Sequence, residues 1–532
     1  MADNAYLDGA GVAQLWQATK DYMAGNATGY RPVKDAATGR YTNASLAMWL
    51  MTLRTGRQYG TIVPKGAESA CTKSRANAGI ANPTPGHVGT PAIDPYDGEG
   101  GAFLHFDVNG GADPDGTPFV TKIRGIDDDF ALDGSQGDVW VLAPALWWRW
   151  DASNELYSEM VVSDSPLPGL WAQPNAYLPS GQIRPYMLYA KYGGGKGEDG
   201  KMHSYSGLPL WIRQVSHNST ITQCQTATTG YSGKTTADDW YVKAMFLSKY
   251  ATKDSQSVFT GCMSYSYQYA PAVAETGVRR VVLTNAQAAS LIVGSSMMLG
   301  THTDSSTDRN TAYNYDVFDG AVITSIEAYD ESHMAVYFDT PSTFDVETTY
   351  LLSTAPWGAG CLDAVDGDGT VTAAGATSSK EPFKIQGVEC QLGAYEVLGN
   401  VILDNAGEGF EVCVNHDTRG ESTSLTSAYV RTGIVLPTGD ADTWYYTLTP
   451  AYAGGALVAV GEGTSAQGTH DGTYTNKLST IAAKEFLSGG LYGGAYGGLW
   501  CVHGRYSLGS VWWYIASRLS AIGRSGGEFR AA

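Results

Sequence analysis

Paired cysteines are the first thing this chain lacks. Its 7 cysteines (71, 224, 262, 361, 390, 413 and 501) are scattered, odd in number and free of any CxxC pair. A disulfide framework or a zinc site needs closer, paired spacing, so small buried thiols are the expectation. Charge is also sparse. Charged residues make up 16% of the 532-residue chain, against about 25% in ordinary soluble domains. The balance is acidic, 34 Lys+Arg against 53 Asp+Glu, for a net charge of −19. That excludes the concentrated basic surface that a phosphate backbone requires, and with it nucleic-acid binding. No run reaches the roughly 18–20 apolar residues of a membrane span. The opening residues 1–6 have neither the basic nor the apolar region of a signal peptide. Membrane insertion and signal-directed export are not expected.

Several motif fragments fail in context. Residues 195–200 fit GxGxxG, but no helix pattern follows to hold a phosphate. Gly233, Lys234 and Thr235 precede a helix pattern, yet the first glycine of a P-loop would fall at Thr228. Residues 523–527 fit GxSxG around Ser525, but no Asp or His follows to complete a hydrolase triad. The 9 histidines include no HExxH. Asp363, Asp366 and Asp368 have part of the spacing of a calcium loop and lack its terminal bidentate Glu. A solvated turn is the expectation there, with a loose calcium site as the alternative. No other cofactor is expected.

Glycine (65), tyrosine (33) and tryptophan (14) are plentiful, and 43% of the residues are apolar. That is enough to fill large cores, and the length fits roughly two to four domains. Apolar periodicity predicts helices at 8–25, 43–56 and 236–253. In the third, Thr236 and Asp239 suit an acidic capping box. Strand-like runs occupy 139–142, 159–162 and 186–192. The texture changes over 271–384, where 278–284, 321–328 and 334–339 read as strands separated by turns. This segment is expected to be an inserted β-sandwich-like module.

The glycines and aromatics crowd into 489–514. Glycine permits tight turns, while Tyr and Trp offer large, rigid contact area at low entropy cost. Leu491, Tyr492, Tyr496, Trp500, His503, Arg505, Tyr506, Ser510, Trp512 and Tyr514 are therefore candidate ligand-binding residues. Trp513, Ile515 and Arg518 are assigned structural roles in the core.

This stretch resembles the variable region of diversity-generating retroelement target proteins, which occur in phage tail adhesins with a C-type-lectin fold. Gly489, Gly490, Gly497, Leu499, Trp513, Ile515, Arg518 and Leu519 carry the resemblance, continued by residues 520–525. Segments 6–16, 126–130, 137–141, 204–207, 250–256 and 387–400 fit the same family in order. Ala495 and Ala516 depart from its small-residue pattern. The resemblance implies an α+β fold, with a C-type-lectin-like domain over 81–270 and 385–532, interrupted by the 271–384 module. A small helical segment, 1–80, would serve virion attachment and oligomerisation. It implies a non-enzymatic receptor-binding protein of a phage or prophage tail, located in the virion, homotrimeric, and joined to other tail proteins through its N-terminus. Its partner would be a host-surface protein or glycan, bound through a variable region at about 489–515. A non-adhesive tail structural protein and a polysaccharide depolymerase are the alternatives. Formylglycine-generating enzymes share the superfamily but use a copper-binding cysteine pair five residues apart. Cys501 would need its partner at 496 or 506, where Tyr496 and Tyr506 stand.

Overall fold

The computed structural model describes residues 31–177, 182–301, 309–407, 409–416, 424–490 and 494–521. The expected helix at 8–25 lies outside these residues, as do Leu491 and Tyr492. The fold is β-rich α+β, with 38% strand and 11% helix. Among the described residues no helix is long and apolar enough to cross a membrane.

The helix Thr236–Tyr250 is the hub, and every one of its residues is buried. Its sequence shows one apolar stripe, yet sheets close on all sides of it. Tyr241 stacks on Tyr189 at 4.0 Å, and Trp240 meets Trp148 edge-on at 4.9 Å. The N-cap is Thr235 rather than Thr236. Asp238 Oδ2 accepts the Thr235 N–H at 2.8 Å to close the capping box. Asp239 cannot serve the cap because it is ion-paired with Lys234 and Lys243. The helix stops at Ala251, in the left-handed region, short of Lys253. The helix Asn43–Thr52 likewise ends before Gly56. Thr42 caps it, and Leu46, Trp49 and Leu50 bury its inner face.

A six-stranded sheet runs in the order Ser232–Gly233, Leu519–Ser520, Tyr186–Ala190, Val139–Pro144, Phe106–Ala112, Pro118–Ile123. A five-stranded sheet runs Thr72–Arg75, Gln58–Pro64, Tyr157–Ser163, Trp147–Asp151, Trp171–Ala172. The expected helical segment 1–80 therefore ends as strand, because Tyr59 and Val63 pack into the core around Trp148. A nine-stranded sheet contains Tyr395–Asn405, Ala483–Ser488, Val502–His503, Gly472–Thr475 and Thr443–Ala453 in neighbouring order. Its outer strands, Tyr429–Leu436 and Ala456–Glu462, share an apolar interior through Leu436 and Val458, so the sheet nearly closes.

The expected strands of the 271–384 segment form, in a six-stranded sheet and a two-stranded ribbon of Glu275–Val278 with Phe344–Val346. One six-stranded sheet runs Gln268–Tyr269, Leu351–Thr354, Ser296–Gly300, Phe318–Ala328, His333–Phe338, Arg280–Thr284. Its apolar residues, among them Leu283, Leu299 and Phe338, join the cluster that holds Trp513 and Leu188. Residues 369–390 contribute a separate three-stranded ribbon whose Phe383 and Ile385 pack near the hub helix.

All 7 cysteines are free thiols. The calcium candidates do not converge. Asp368 is buried and ion-paired with Lys249 at 2.5 Å, and Asp363 accepts the Tyr192 hydroxyl at 2.6 Å. Among the described residues no group of three or more His, Cys, Asp or Glu is placed to hold a metal.

The hub is locked by buried charge. Arg518 lies 2.6 Å from Glu396 and also donates to the Glu389 and Ala190 carbonyls. Glu396 pairs with Lys234 at 2.8 Å, Lys234 with Asp239 at 3.1 Å, and Asp239 with Lys243 at 2.5 Å. Arg518→Ala leaves Glu396 buried and half-partnered. It should cost about 3–5 kcal/mol, read as a lowered urea midpoint. Arg518→Lys should recover little of this, since an ammonium cannot span all three acceptors. A midpoint unchanged in Arg518→Ala would contradict the locking role.

Candidate functional site

The strands Thr443–Ala453 and Gly472–Thr475 pair with Trp444 opposite Tyr474 and Tyr446 opposite Gly472. Side chains two apart on a strand share a face, so Trp444 and Tyr446 project together. The neighbouring parallel strand sets His503 beside Tyr474. The glycine-rich turn then lays Tyr496 over this face, 5.4 Å from Trp444 and nearly parallel to it, and 4.3 Å from Tyr446. Gly472 makes room, because a Cβ there would lie 2.9 Å from that of Tyr496.

The rings continue in one line. Trp444 meets Tyr474 at 5.1 Å, Tyr474 stacks on His503 at 4.9 Å, and His503 stacks on Tyr506 at 4.8 Å. Tyr506 lies 5.7 Å from Trp512, which is parallel to Tyr514 at 6.0 Å. The hydroxyls of Tyr506 and Tyr514 are hydrogen-bonded. Tyr446, Trp444, Tyr474, Tyr496, Tyr506 and Trp512 are half-buried. Each therefore presents part of a ring outward while its remainder packs. Arg505 is exposed at the edge, with its guanidinium carbon 6.0 Å from Tyr474 and 5.9 Å from Tyr506. Asp442 partners it at 3.4 Å. Ser510 is half-buried, 3.0 Å from Ser507.

Three candidates are not on this surface. Trp500 is fully buried, against the expectation of exposure. Its ring N–H donates to the Lys253 carbonyl at 2.8 Å, and Lys243 Nζ lies 5.3 Å from its ring. The turn folds inward at this point and uses Trp500 as a plug. His503 and Tyr514 are also buried and back the outer rings, His503 because it sits in a central strand, Tyr514 because it packs on Tyr395. Burial, with Arg505 adding to it, pushes His503 down to about 3, so its ring is neutral. Trp513 and Ile515 lie in the core, Trp513 with the Arg309 guanidinium 4.3 Å from its ring.

Trp444, Tyr446 and Tyr474 were not among the sequence candidates. Their signal is weak: Gly472-Thr-Tyr-Thr alternates, while Thr443-Trp-Tyr-Tyr-Thr carries three consecutive aromatics and so puts rings on both faces of its strand. No local pattern reveals that the two strands pair in this register.

A buried carboxyl group, that of Asp471, holds the turn from beneath. Asp471 accepts the Trp500 N–H at 2.9 Å, the Ser255 hydroxyl at 3.0 Å and the Gln256 amide at 2.8 Å. Gln256 also donates to the Ala495 carbonyl. Cys501, next to Trp500, is buried, and its thiol is pushed well up by that burial. The arrangement is a packed aromatic ridge on a pinned turn, with rings, hydroxyls and one edge cation to offer a ligand. Comparison with protein-family models and with curated proteins finds no match for this chain.

Burial pushes the Asp471 carboxyl up to about 8, although its three donors oppose the shift. The folded form keeps its proton up to about pH 8, while an unfolded Asp releases it near pH 4. Stability from this group is therefore full below about pH 4 and is lost as pH rises toward 8. The Tm of the protein minus that of Asp471→Asn should fall steadily across that window. A flat difference would mean that the carboxyl titrates normally.

Proposed function

We propose that this protein is a receptor-binding protein of a phage or prophage tail, and that the aromatic ridge is its ligand surface. The ridge is the observation that carries this reading. Six half-buried aromatic side chains form one line, its two stretches joined through the buried His503, on an acidic chain. Contiguous apolar area of this kind marks an interaction site, and Tyr, Trp and Arg are the residues that dominate binding energy. Their partial burial fixes the rotamers, so little entropy is lost on binding.

The lectin-like identity of the domain rests on the family resemblance of 489–519, and so does diversification of about 489–515 by a retroelement. In that reading the strands supply constant rings at 444, 446 and 474, and the turn supplies changeable ones at 496, 506 and 512. The protein acts in the virion without catalysis. It is a homotrimer, whose avidity multiplies modest single-site affinity, and its N-terminal segment joins other tail proteins.

Ala substitutions at Tyr474, Tyr506 and Trp512 should each lower adsorption to host cells by about tenfold or more while leaving the circular dichroism spectrum intact. Trp500→Ala should instead lower Tm, because it empties a core site. Unaltered adsorption in all three ridge variants would defeat the proposal. A reverse-transcriptase gene beside a near-copy of the 489–515 codons that differs at adenines would support diversification, and invariance of these codons among sister genomes would sink it.

A further inference from the structure

The last turn of the hub helix carries a charge cluster of the opposite balance to the chain through Arg518. Lys249 Nζ lies 2.5 Å from Asp94 Oδ2 and 2.5 Å from Asp368 Oδ2. The side chains of Lys249, Asp94 and Asp368 are nearly sealed, at 1%, 5% and 2% exposed. Among the described residues neither carboxylate has a second cation within ion-pair distance. One buried ammonium thus serves two buried carboxylates.

The three groups arrive from three segments. Asp94 sits in the loop 83–97, which Thr84 and Ile93 close by exchanging backbone hydrogen bonds. The Gly86 N–H of the same loop donates to the Asp368 carbonyl at 2.8 Å. Each carboxyl also has its second oxygen fixed. The Tyr96 N–H donates to Asp94 Oδ1 at 2.9 Å, and the Gln386 N–H donates to Asp368 Oδ1 at 2.7 Å. Tyr96 is itself buried, and its hydroxyl donates to Asn77 and to the Ser248 carbonyl. An amine, a carboxyl to receive it and a second carboxyl to move protons are therefore held in contact. Amide condensation needs no other group.

We propose that Lys249 and Asp94 condense into an intramolecular isopeptide bond once the chain has folded. Asp368 takes a proton from the ammonium and frees the Nζ lone pair, which attacks Cγ of Asp94. The Nζ–Cγ bond forms and the Cγ–Oδ2 bond breaks. Asp368 passes two protons in turn from Nζ to Oδ2, which leaves as water. Asp94 Oδ1 becomes the amide oxygen, and the Tyr96 N–H supports the negative charge that gathers on it during attack. Nothing is oxidised or reduced, and no co-reactant is consumed.

Two conditions drive the step. Burial weighs against the Lys249 ammonium, but the charges of Asp368 and Asp94 overcome it and hold the group above the usual lysine value. The charged pair is thus kept against a desolvation cost that a neutral amide does not carry. Fixed contact also raises the effective concentration of the reactants far above anything reached in solution. Asp94 rather than Asp368 is the acceptor, because it has a like-charged neighbour. Burial and, next, the Asp94 charge push the Asp97 carboxyl up, and condensation removes that repulsion. The bond stands apart from the ridge and needs no ligand.

The test is mass spectrometry of the full chain, denatured after purification. Its mass should fall short of the sequence mass by one water, and a protease digest should contain a branched species that joins the peptides of Asp94 and Lys249. Asp94→Ala and Lys249→Arg should each show their full sequence mass. Asp368→Asn should do the same while keeping the parent circular dichroism spectrum, since the amide fills the same space. A succinimide at Asp97–Gly98 loses the same water, but it joins no peptides and opens in mild base. Full mass in the parent chain, which no folding defect can cause, would overturn the proposal. So would water loss without a branch between Asp94 and Lys249, or a branch that persists in folded Asp368→Asn.

Discussion

The buried ion chain Arg518–Glu396–Lys234–Asp239–Lys243 is the constraint on which the other packing depends. Three cations face two carboxylates, all of them nearly sealed from solvent. Burial works against the charge of Lys234, but Glu396 and Asp239 outweigh it and hold the ammonium at about 12. At Lys243 burial wins and the pKa falls. Such a chain adds little net stability over apolar residues, but no member can be left alone. It therefore acts as a registration device. The hub helix supplies Asp239 and Lys243, the nine-stranded sheet supplies Glu396, and the residue before Leu519–Ser520 supplies Arg518. Lys234 also donates to Ser488, at the foot of the glycine-rich turn. Only one relative placement of these elements pairs every charge.

That placement sets what the turn can present. Its residues divide into an inward set, Leu499, Trp500, Cys501, Trp513 and Ile515, and an outward set, Tyr496, Arg505, Tyr506 and Trp512. Asp471 and Ser255 hold the inward set from elements outside the turn, accepting the Trp500 and Leu499 N–H groups. The outward side chains can then differ in kind without moving the backbone beneath them. The ridge is also broader than the turn, because Trp444, Tyr446 and Tyr474 come from strands whose own ladder hydrogen bonds fix them.

Much of this was legible in the sequence wherever the signal is local. Alternation and β-branched runs located the strands at 139–142, 159–162 and 334–339 within a few residues. Arg518 and Trp513 were legible as core by their place in the family pattern. The capping box slipped by one residue because Thr235/Thr236 and Asp238/Asp239 are equivalent doublets, and only the ion pairs of Asp239 with Lys234 and Lys243 decide between them. Trp500 looked exposed because its neighbours are glycines, while the groups that bury it, Lys243 and Lys253, lie about 250 residues upstream. Asp368 read as part of a solvated turn for the same reason, since its partner Lys249 is 119 residues away. Sequence exposes periodicity, and it hides any role that register or a remote charge assigns.

The strand Leu519–Ser520 has a kinetic consequence. It completes the sheet between Ser232–Gly233 and Tyr186–Ala190, and Arg518 reaches the Ala190 carbonyl across 328 residues of chain. Contacts that span so much sequence close slowly, because loop entropy must be lost before they form. Until residue 518 is in place, the buried Glu396 has Lys234 but lacks its Arg518 partner. The chain stays unfinished, with strand edges and apolar faces open, until Leu519–Ser520 docks between its two neighbours. Closing of this sheet is thus a late step of folding, and a chain caught before it exposes the surfaces that aggregate.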